Sequence, residues 1–551
     1  MTVLSGAHGG IQTVAAARQH GVDTVFTLSG AHVFPVYDGA VTAEPPLRLL
    51  DVRHEQTAVF AAEGLAKLTR TPGLAVVTAG PGVTNTVSAV TTAWFNGSPV
   101  VVLGGRAPAY RWGQGALQEL DHPPLLASVT KHAATVRSPG DVAGAVDDAF
   151  CTAGRSHRGP VFLDVPMDHL FTPADAELTA PVPRKAVQPD PADLTEVAHL
   201  LAAAERPVLV VGSDVWSDRA DEAIRRLAET ARLPVIANGM GRGVLPRGHE
   251  LLVTRARSLA FGQADLVVVV GAPLDFRLGY GVFGGRDGTS PAPVVHLADA
   301  ADQVATHTPL AASASGDLTA VADGLLAAWE AELRHPDLSG WLARLQGAAR
   351  AATADDAEVL GSAAHPIHPA RIYGELRPRL ADDAVVIGDG GDFVSFAGRF
   401  VEPSRPGSWL DPGPFGCLGT GPGYAIAARL ARPHAQVVLL LGDGAVGFSL
   451  ADIDTLVRHR LPVVMVVGNN GAWGLEKHPM QFLYGYDVVA DLTPQTRYDE
   501  VAKALGGDGE LVTDPEQIGP ALDRAFASGV PYLVNVATDP AVAYPRSTTG
   551  I

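Results

Sequence analysis

Short runs of aliphatic and β-branched residues ending in glycine or a small polar residue recur along the whole chain, and they are continuous rather than alternating. Asp23 to Gly30, Leu74 to Gly82, Ser98 to Gly105 and Pro160 to Val165 are the first four. A strand with one wet face alternates apolar and polar side chains, whereas a strand apolar at nearly every position must be covered on both faces, as in a parallel sheet between helices. Alanine-rich stretches such as Thr57 to Leu68 lie between the runs and suit those helices. The alternation predicts an α/β fold.

The 551 residues exceed what one hydrophobic core supports, so two to four domains are expected. Residues 1–172 read as the first. Proline and charge then dominate from Thr172 to Pro191, with Pro173, Pro181, Pro183, Pro189 and Pro191, and predict a linker. A second set of strands, Pro207 to Gly212, Pro234 to Ala237, Leu266 to Gly271 and Val294 to Leu297, fills a unit over residues 190–335. The weakly patterned stretch from His335 to Pro369 reads as another connection. Ala384 to Ile387, Val437 to Leu441, Pro462 to Val467 and Tyr532 to Val536 define a third unit, residues 365–551. The expectation is three consecutive doubly wound parallel-sheet domains, with ligands outside the carboxyl ends of the strands.

Charge and cysteine content exclude several classes of function. A net charge of -18 leaves no basic excess to neutralise a phosphate backbone, so nucleic acid is not an expected partner. Cys151 and Cys417 are too few for a disulfide framework or a cysteine-rich zinc site, and fit a reducing cytoplasm. Neither a signal-like segment over Met1 to Gly10 nor an apolar run long enough to span a bilayer is present in the sequence, so no membrane association is expected.

The sharpest motif is Gly442-Asp443-Gly444 after one predicted strand, matched 27 positions later by Asn469-Asn470 after the next. A helix with Leu450, Ile453, Leu456 and Val457 on one face, and Ser449 as its N-cap, would join them. A diphosphate needs a hard divalent cation, and such cations take oxygen ligands. Asp443, Asn470 and the carbonyl of Ala472 supply that set, while Gly442, Gly444 and Ala445 let the backbone approach phosphates at a helix start.

This pair of segments resembles the signature of thiamine diphosphate (ThDP)-dependent enzymes. The resemblance implies that the third unit binds the cofactor's diphosphate through Mg2+, and that a partner domain binds its aminopyrimidine. Arg53-His54-Glu55-Gln56, followed by Ala61-Ala62-Glu63-Gly64, is similar to the segment carrying the family's activating glutamate. Glu55 is then the group that favours the imino tautomer of the pyrimidine, so that the thiazolium C2 proton can leave; Glu63 is the alternative. The turn after the first strand at Gly30, and Thr78-Ala79-Gly80-Pro81-Gly82-Val83-Thr84-Asn85 after the second, would shape the pyrimidine pocket with Pro81 and Asn85. Gln118 matches a polar position near the reacting centre, and Leu418, in Gly416-Cys417-Leu418-Gly419, matches the apolar residue that holds ThDP bent.

The order of units is similar to the acetolactate synthase, oxalyl-CoA decarboxylase and 2-hydroxyacyl-CoA lyase branch over essentially the whole chain. The resemblance implies a carbon–carbon lyase or carboligase: decarboxylation of a 2-keto acid such as pyruvate and transfer of the enamine to a second carbonyl. Cleavage of a 2-hydroxyacyl-CoA or oxalyl-CoA is the alternative, and a non-catalytic nucleotide- or partner-binding homologue is a remote one. Pro479 stands near the position where synthases carry a tryptophan, and Gly423-Tyr424-Ala425, Ala256-Arg257-Ser258 and Gly271 to Asp275 resemble the CoA-linked members equally well. Glu476, with Lys477 and His478, is a candidate proton-transfer or carboxylate-holding group, and Lys131 matches a lysine near the substrate channel. The middle unit offers Gly212-Ser213, Arg257, Asp275 and Asp299 at strand ends for FAD or ADP, with an empty pocket equally open. The resemblance also implies a homodimer or homotetramer.

Overall fold

The computed structural model describes residues 2–180, 185–285 and 290–545. Pro181 and Pro183 of the expected linker lie outside the described residues.

Three parallel sheets follow one another along the chain. The first runs, from edge to edge, Arg48–Asp51, Thr24–Thr27, Gly73–Val77, Val100–Arg106, Val161–Pro166 and His132–Thr135. The second runs Val235–Ala237, Pro207–Val211, Leu266–Val270, Val294–Ala298 and Ala312–Ser315. In the third the order is Trp409–Leu410, Val385–Asp389, Val437–Gly442, Val464–Asn469, Tyr532–Ala537 and Asp508–Val512. Counted in their own chain order, the strands of the first and third sheets have the same arrangement, 2-1-3-4-6-5, and the second is 2-1-3-4-5. In each sheet the winding reverses between the strands counted 1 and 3, which opens a crevice at their carboxyl ends.

Two stretches fold differently from the sequence expectation. Part of the proline-rich segment, Pro173–Leu178, is a strand paired antiparallel with Thr2–His8; proline tolerates such an edge position because a missing N–H costs nothing there. The weakly patterned connection contains a 22-residue helix, Ser339–Leu360. Only Trp341, Leu342, Leu345 and Asp356 of it are buried, so it carries little apolar periodicity and forms on the helix propensity of its alanine-rich sequence.

The cores show how the units relate. One cluster, from Leu194 to Leu345, is built from the second unit together with Leu338 and the start of helix Ser339–Leu360, and takes nothing from the first or third. A second mixes residues of the first and third, among them Phe26, Phe60, Val77, Phe162, Ile387, Tyr424, Leu439 and Met465, with Trp216 and Met240 of the middle unit at its margin. Its centre is the crossing of helices Glu55–Thr69 and Gly421–Ala431. A β-carbon on Gly423 would come within 2.6 Å of the Phe60 β-carbon, and one on Gly64 within 2.9 Å of that of Ala427, so the crossing requires both glycines. There the buried Glu63 accepts hydrogen bonds from Tyr424 Oη (2.8 Å), Asn96 Nδ2 (2.8 Å) and Ser98 Oγ (3.1 Å).

Candidate active site

At the reversal of the third sheet the ends of Val385–Asp389 and Val437–Gly442 lie side by side, with Gly388 opposite Leu440 and Asp389 opposite Leu441. A β-carbon on Gly390 would stand 3.1 Å from the Gly442 nitrogen, whereas nothing lies within 4 Å of one on Gly442. The backbone at Gly442 is therefore open to a ligand. Asp443 follows at the start of helix Asp443–Ser449 and is 3% exposed. Its carboxylate accepts the N–H groups of Gly444 (3.0 Å) and Gly471 (2.7 Å), which tie it to the end of the neighbouring strand Val464–Asn469. Burial pushes its pKa up to about 6 against these amides, and among the described residues it has no cationic partner. Asn470, half-buried, turns its side-chain oxygen to the Ala472 N–H (3.1 Å).

A buried anion with no cation, next to an amide oxygen and the Ala472 backbone, is a donor set that fits a hard divalent ion. Two features here were missed in the sequence. Trp473 packs its ring where a Gly444 β-carbon would stand, 2.4 Å away, and meets Phe448 edge-on at 6.3 Å. Asn469 donates to Asn535 Oδ1 (3.0 Å) and the Thr496 carbonyl (3.1 Å), so the first asparagine of the pair braces the sheet while the second faces the site. The helix after Asp443 is broken: Asp443–Ser449, a single 3-10 turn Leu450–Asp452, then Ile453–Arg458. Ser449 makes no capping hydrogen bond, because its hydroxyl is buried without a partner.

The first sheet builds its own crevice at the corresponding reversal. A β-carbon on Gly30 would lie 2.2 Å from that of Thr78, so the two loops close on each other only through glycine. Glu55, first residue of helix Glu55–Thr69 and 8% exposed, accepts a hydrogen bond from Asn85 Nδ2 at 2.9 Å. Pro81 begins the short helix Pro81–Thr84 directly before Asn85. Gly80, at φ +57°, packs against Gln118. A buried relay not foreseen from the sequence holds this turn: Asp164 lies 3.2 Å from His122 Nδ1, and His122 Nε2 accepts the Gly80 N–H at 2.9 Å. Gly30, Glu55, Pro81, Asn85 and Gln118 thus come together, whereas Glu63 is wholly enclosed in the interface described above.

Leu418, half-buried, sits between Gly416 (φ +70°) and Gly419 (φ +87°). Asp389, fully buried, grips this loop from the third sheet. Glu476 is exposed in the first turn of helix Gly474–Tyr484, and Lys477 is engaged by Asp487 (3.2 Å) and Asp491, so Glu476, Lys477 and His478 do not form one cluster.

A cavity of about 640 Å³ lies where the three units meet and is lined by Asn96, Lys131, His157, Ser213, Asp275 and Gly413 among others. Gly212, Arg257 and Asp299 are not part of its wall, although Asp299 hydrogen-bonds His157 at 3.0 Å. Burial would lower the His157 pKa, but Asp214 and Asp299 override it and push it up to about 9. Lys131 donates to the Arg155 (2.7 Å) and His157 (2.6 Å) carbonyls, and burial lowers its pKa to about 8.

Three family models match: the thiamine pyrophosphate enzyme N-terminal TPP binding domain at residues 8–125, the central domain at 194–325 and the C-terminal TPP binding domain at 389–536. A probable acetolactate synthase of Mycobacterium bovis and the acetolactate synthase large subunit IlvG of Mycobacterium tuberculosis are each 51% identical over 543 residues, 98% of this chain and 97% of theirs. The human 2-hydroxyacyl-CoA lyase 2 is 32% identical over 577 residues, 96% of this chain and 90% of its own.

Proposed function

Because this chain belongs to the thiamine pyrophosphate enzymes and is an acetolactate synthase homologue, we propose that it decarboxylates a 2-keto acid such as pyruvate and joins the remaining two-carbon unit to the carbonyl of a second 2-keto acid, releasing CO2. The observation that carries the reading is the pairing, in one chain, of a shielded glutamate at the first sheet's crevice with a buried, cation-free aspartate at the third's.

The proposed domains are residues 1–172 for the pyrimidine, 190–335 in the middle and 365–551 for the diphosphate and metal. ThDP, when bound, supplies a carbon nucleophile for a substrate carbonyl. Asp443, Asn470 and the Ala472 carbonyl would hold Mg2+, with Gly442, Gly444 and Ala445 leaving room for phosphate oxygens. Glu55 would keep a proton at the pyrimidine ring nitrogen, oriented by Asn85; Gly30, Pro81 and Gln118 would wall that end. Leu418 would support the bend of the cofactor, and Glu476 would exchange protons with substrate from the exposed helix start. The cavity at the junction of the units is the proposed seat of FAD or ADP. A homodimer or homotetramer in a reducing cytoplasm completes the proposal; among the described residues no helix is long and apolar enough to cross a membrane.

A second reading, cleavage of a 2-hydroxyacyl-CoA, is favoured by Pro479 near the position where the resemblance to synthases implies a tryptophan, and by the 32% identity to a 2-hydroxyacyl-CoA lyase. Incubation with pyruvate, ThDP and Mg2+ tests both: acetolactate is the expected product. Its absence, together with cleavage of an added 2-hydroxyacyl-CoA, would replace the first reading with the second.

A further inference from the structure

Asp389 ends the strand Val385–Asp389 at the reversal of the third sheet and is completely buried. One carboxylate oxygen accepts the Gly419 N–H (3.1 Å) and the other the Gly421 N–H (2.8 Å). Among the described residues no lysine, arginine or histidine pairs with it. Burying a carboxylate without a counter-ion is costly, and a neutral side chain could satisfy one amide at much lower cost. The second oxygen matters to the loop, because the two amides flank Thr420 and follow directly on Leu418, and both must be fixed for the loop to have one shape. Gly416 and Gly419, both at positive φ, make the segment between them easy to bend. A β-carbon on Gly419 would meet the Phe448 side chain at 2.9 Å and that of Gln56 at 3.2 Å.

We propose that Asp389 is a positioning residue, which sets where Leu418 stands by clamping the N–H groups of Gly419 and Gly421. The proposal rests on the reading of Leu418 as the cofactor's support. A purely structural role, capping the helix Gly421–Ala431 that begins at the second amide, would change stability and leave cofactor chemistry alone.

Asp389→Asn separates the two. It keeps the shape and one acceptor oxygen but offers an NH2 group to the other amide, so that loop should loosen while the strand stays. Two measurements are made on D389N and on Leu418→Ala: hydrogen–deuterium exchange of residues 416–424 in the apoprotein, and exchange of the C2 proton of ThDP bound with Mg2+. For D389N, loop exchange is expected to rise roughly tenfold, and C2 exchange to slow on the order of tenfold or more, with ThDP affinity changed less than about threefold. For L418A, C2 exchange slows without faster loop exchange. Unchanged loop exchange in D389N overturns the clamp. A loosened loop with normal C2 exchange in D389N, while L418A is slow, overturns the positioning role. A loosened loop with normal C2 exchange in both variants instead refutes the reading of Leu418 and removes the basis of the proposal. Should D389N not fold, Asp389→Ser, whose hydroxyl accepts one amide, goes through the same two assays with the same outcomes.

Discussion

Replacing Tyr424 with phenylalanine removes one oxygen from the interface of the first and third units and nothing else. The ring that packs edge-on against Phe60 (6.2 Å) and beneath the Lys67 ammonium (5.1 Å) is retained. Burial first, and Glu63 second, hold the phenol pKa well above its ordinary value, so in the parent protein it donates to Glu63 at any working pH. A hydrogen bond to a charged acceptor contributes about 1.5–3 kcal/mol, and here the Glu63 oxygen it leaves behind stays buried. Lys67 Nζ, 4.0 Å from the other carboxylate oxygen, is not placed to replace the phenol. The expected loss is about 2 kcal/mol, on the order of 30-fold in an opening equilibrium. A chain of three units does not unfold in two states, so a melting midpoint would blur this value. Native-state hydrogen exchange resolves it: helices Glu55–Thr69 and Gly421–Ala431 should both exchange about 30-fold faster, while strands of the separately cored middle unit keep their rate. A double-mutant cycle with Glu63→Gln should return a coupling of at least about 1 kcal/mol. Exchange within about threefold of the parent in both helices, or an equal rise in the middle unit, would refute the reasoning.

Glu55→Gln should keep ThDP and Mg2+ binding, since Asn85 retains an oxygen to donate to, yet slow C2-proton exchange by about 10²–10⁴-fold; exchange as fast as in the parent excludes Glu55 as the activating group. Asp443→Ala should abolish Mg2+-dependent ThDP binding in titration calorimetry, because it removes the one anionic ligand of the proposed set; near-parental affinity would show the set to be misassigned. The His157 pKa lies above its ordinary 6.5, so its contribution to stability is complete below about pH 6.5 and is lost as pH rises through about 9. Native-state hydrogen exchange around His157, corrected for the intrinsic rate, should therefore show protection falling more steeply between about pH 6.5 and 9.5 for the parent than for His157→Asn, and parallel profiles would contradict the pairing with Asp214 and Asp299.

Central strands were legible because each is apolar at almost every position, the pattern only a doubly covered strand needs. Edge strands mostly were not, the exception being Val235–Ala237, which is apolar and buried at every position. Arg48–Asp51, His132–Thr135 and Asp508–Val512 carry polar side chains because one side of each meets solvent, and Ala312–Ser315 alternates alanine with serine. The proximity of Gly442 and Asp443 to Asn470 and Ala472 could be read because they sit at the ends of two adjacent strands, where local spacing fixes it. Asp389, and the Asp164–His122 relay, escaped notice since each acts on a backbone amide 30 or more residues away. No local pattern distinguishes such a residue from an ordinary buried aspartate or histidine. Ser449 shows the converse: its type and place suggested a cap, but the chain turns through a 3-10 segment there and leaves the hydroxyl without a partner.

The core shared between the first and third units has a consequence for synthesis. Helix Glu55–Thr69 is made long before Gly421–Ala431, with about 350 residues between them. At roughly 5–20 residues per second, the nascent first unit waits on the order of 20–70 s for the surface that covers it. Through that interval Phe60, Ala61 and Gly64 face solvent or a chaperone rather than Tyr424 and Ala427, while the middle unit, whose core draws on no other, can finish folding unaided. A ribosome stalled shortly before residue 421 thus releases a chain with a complete second unit and a sticky first one.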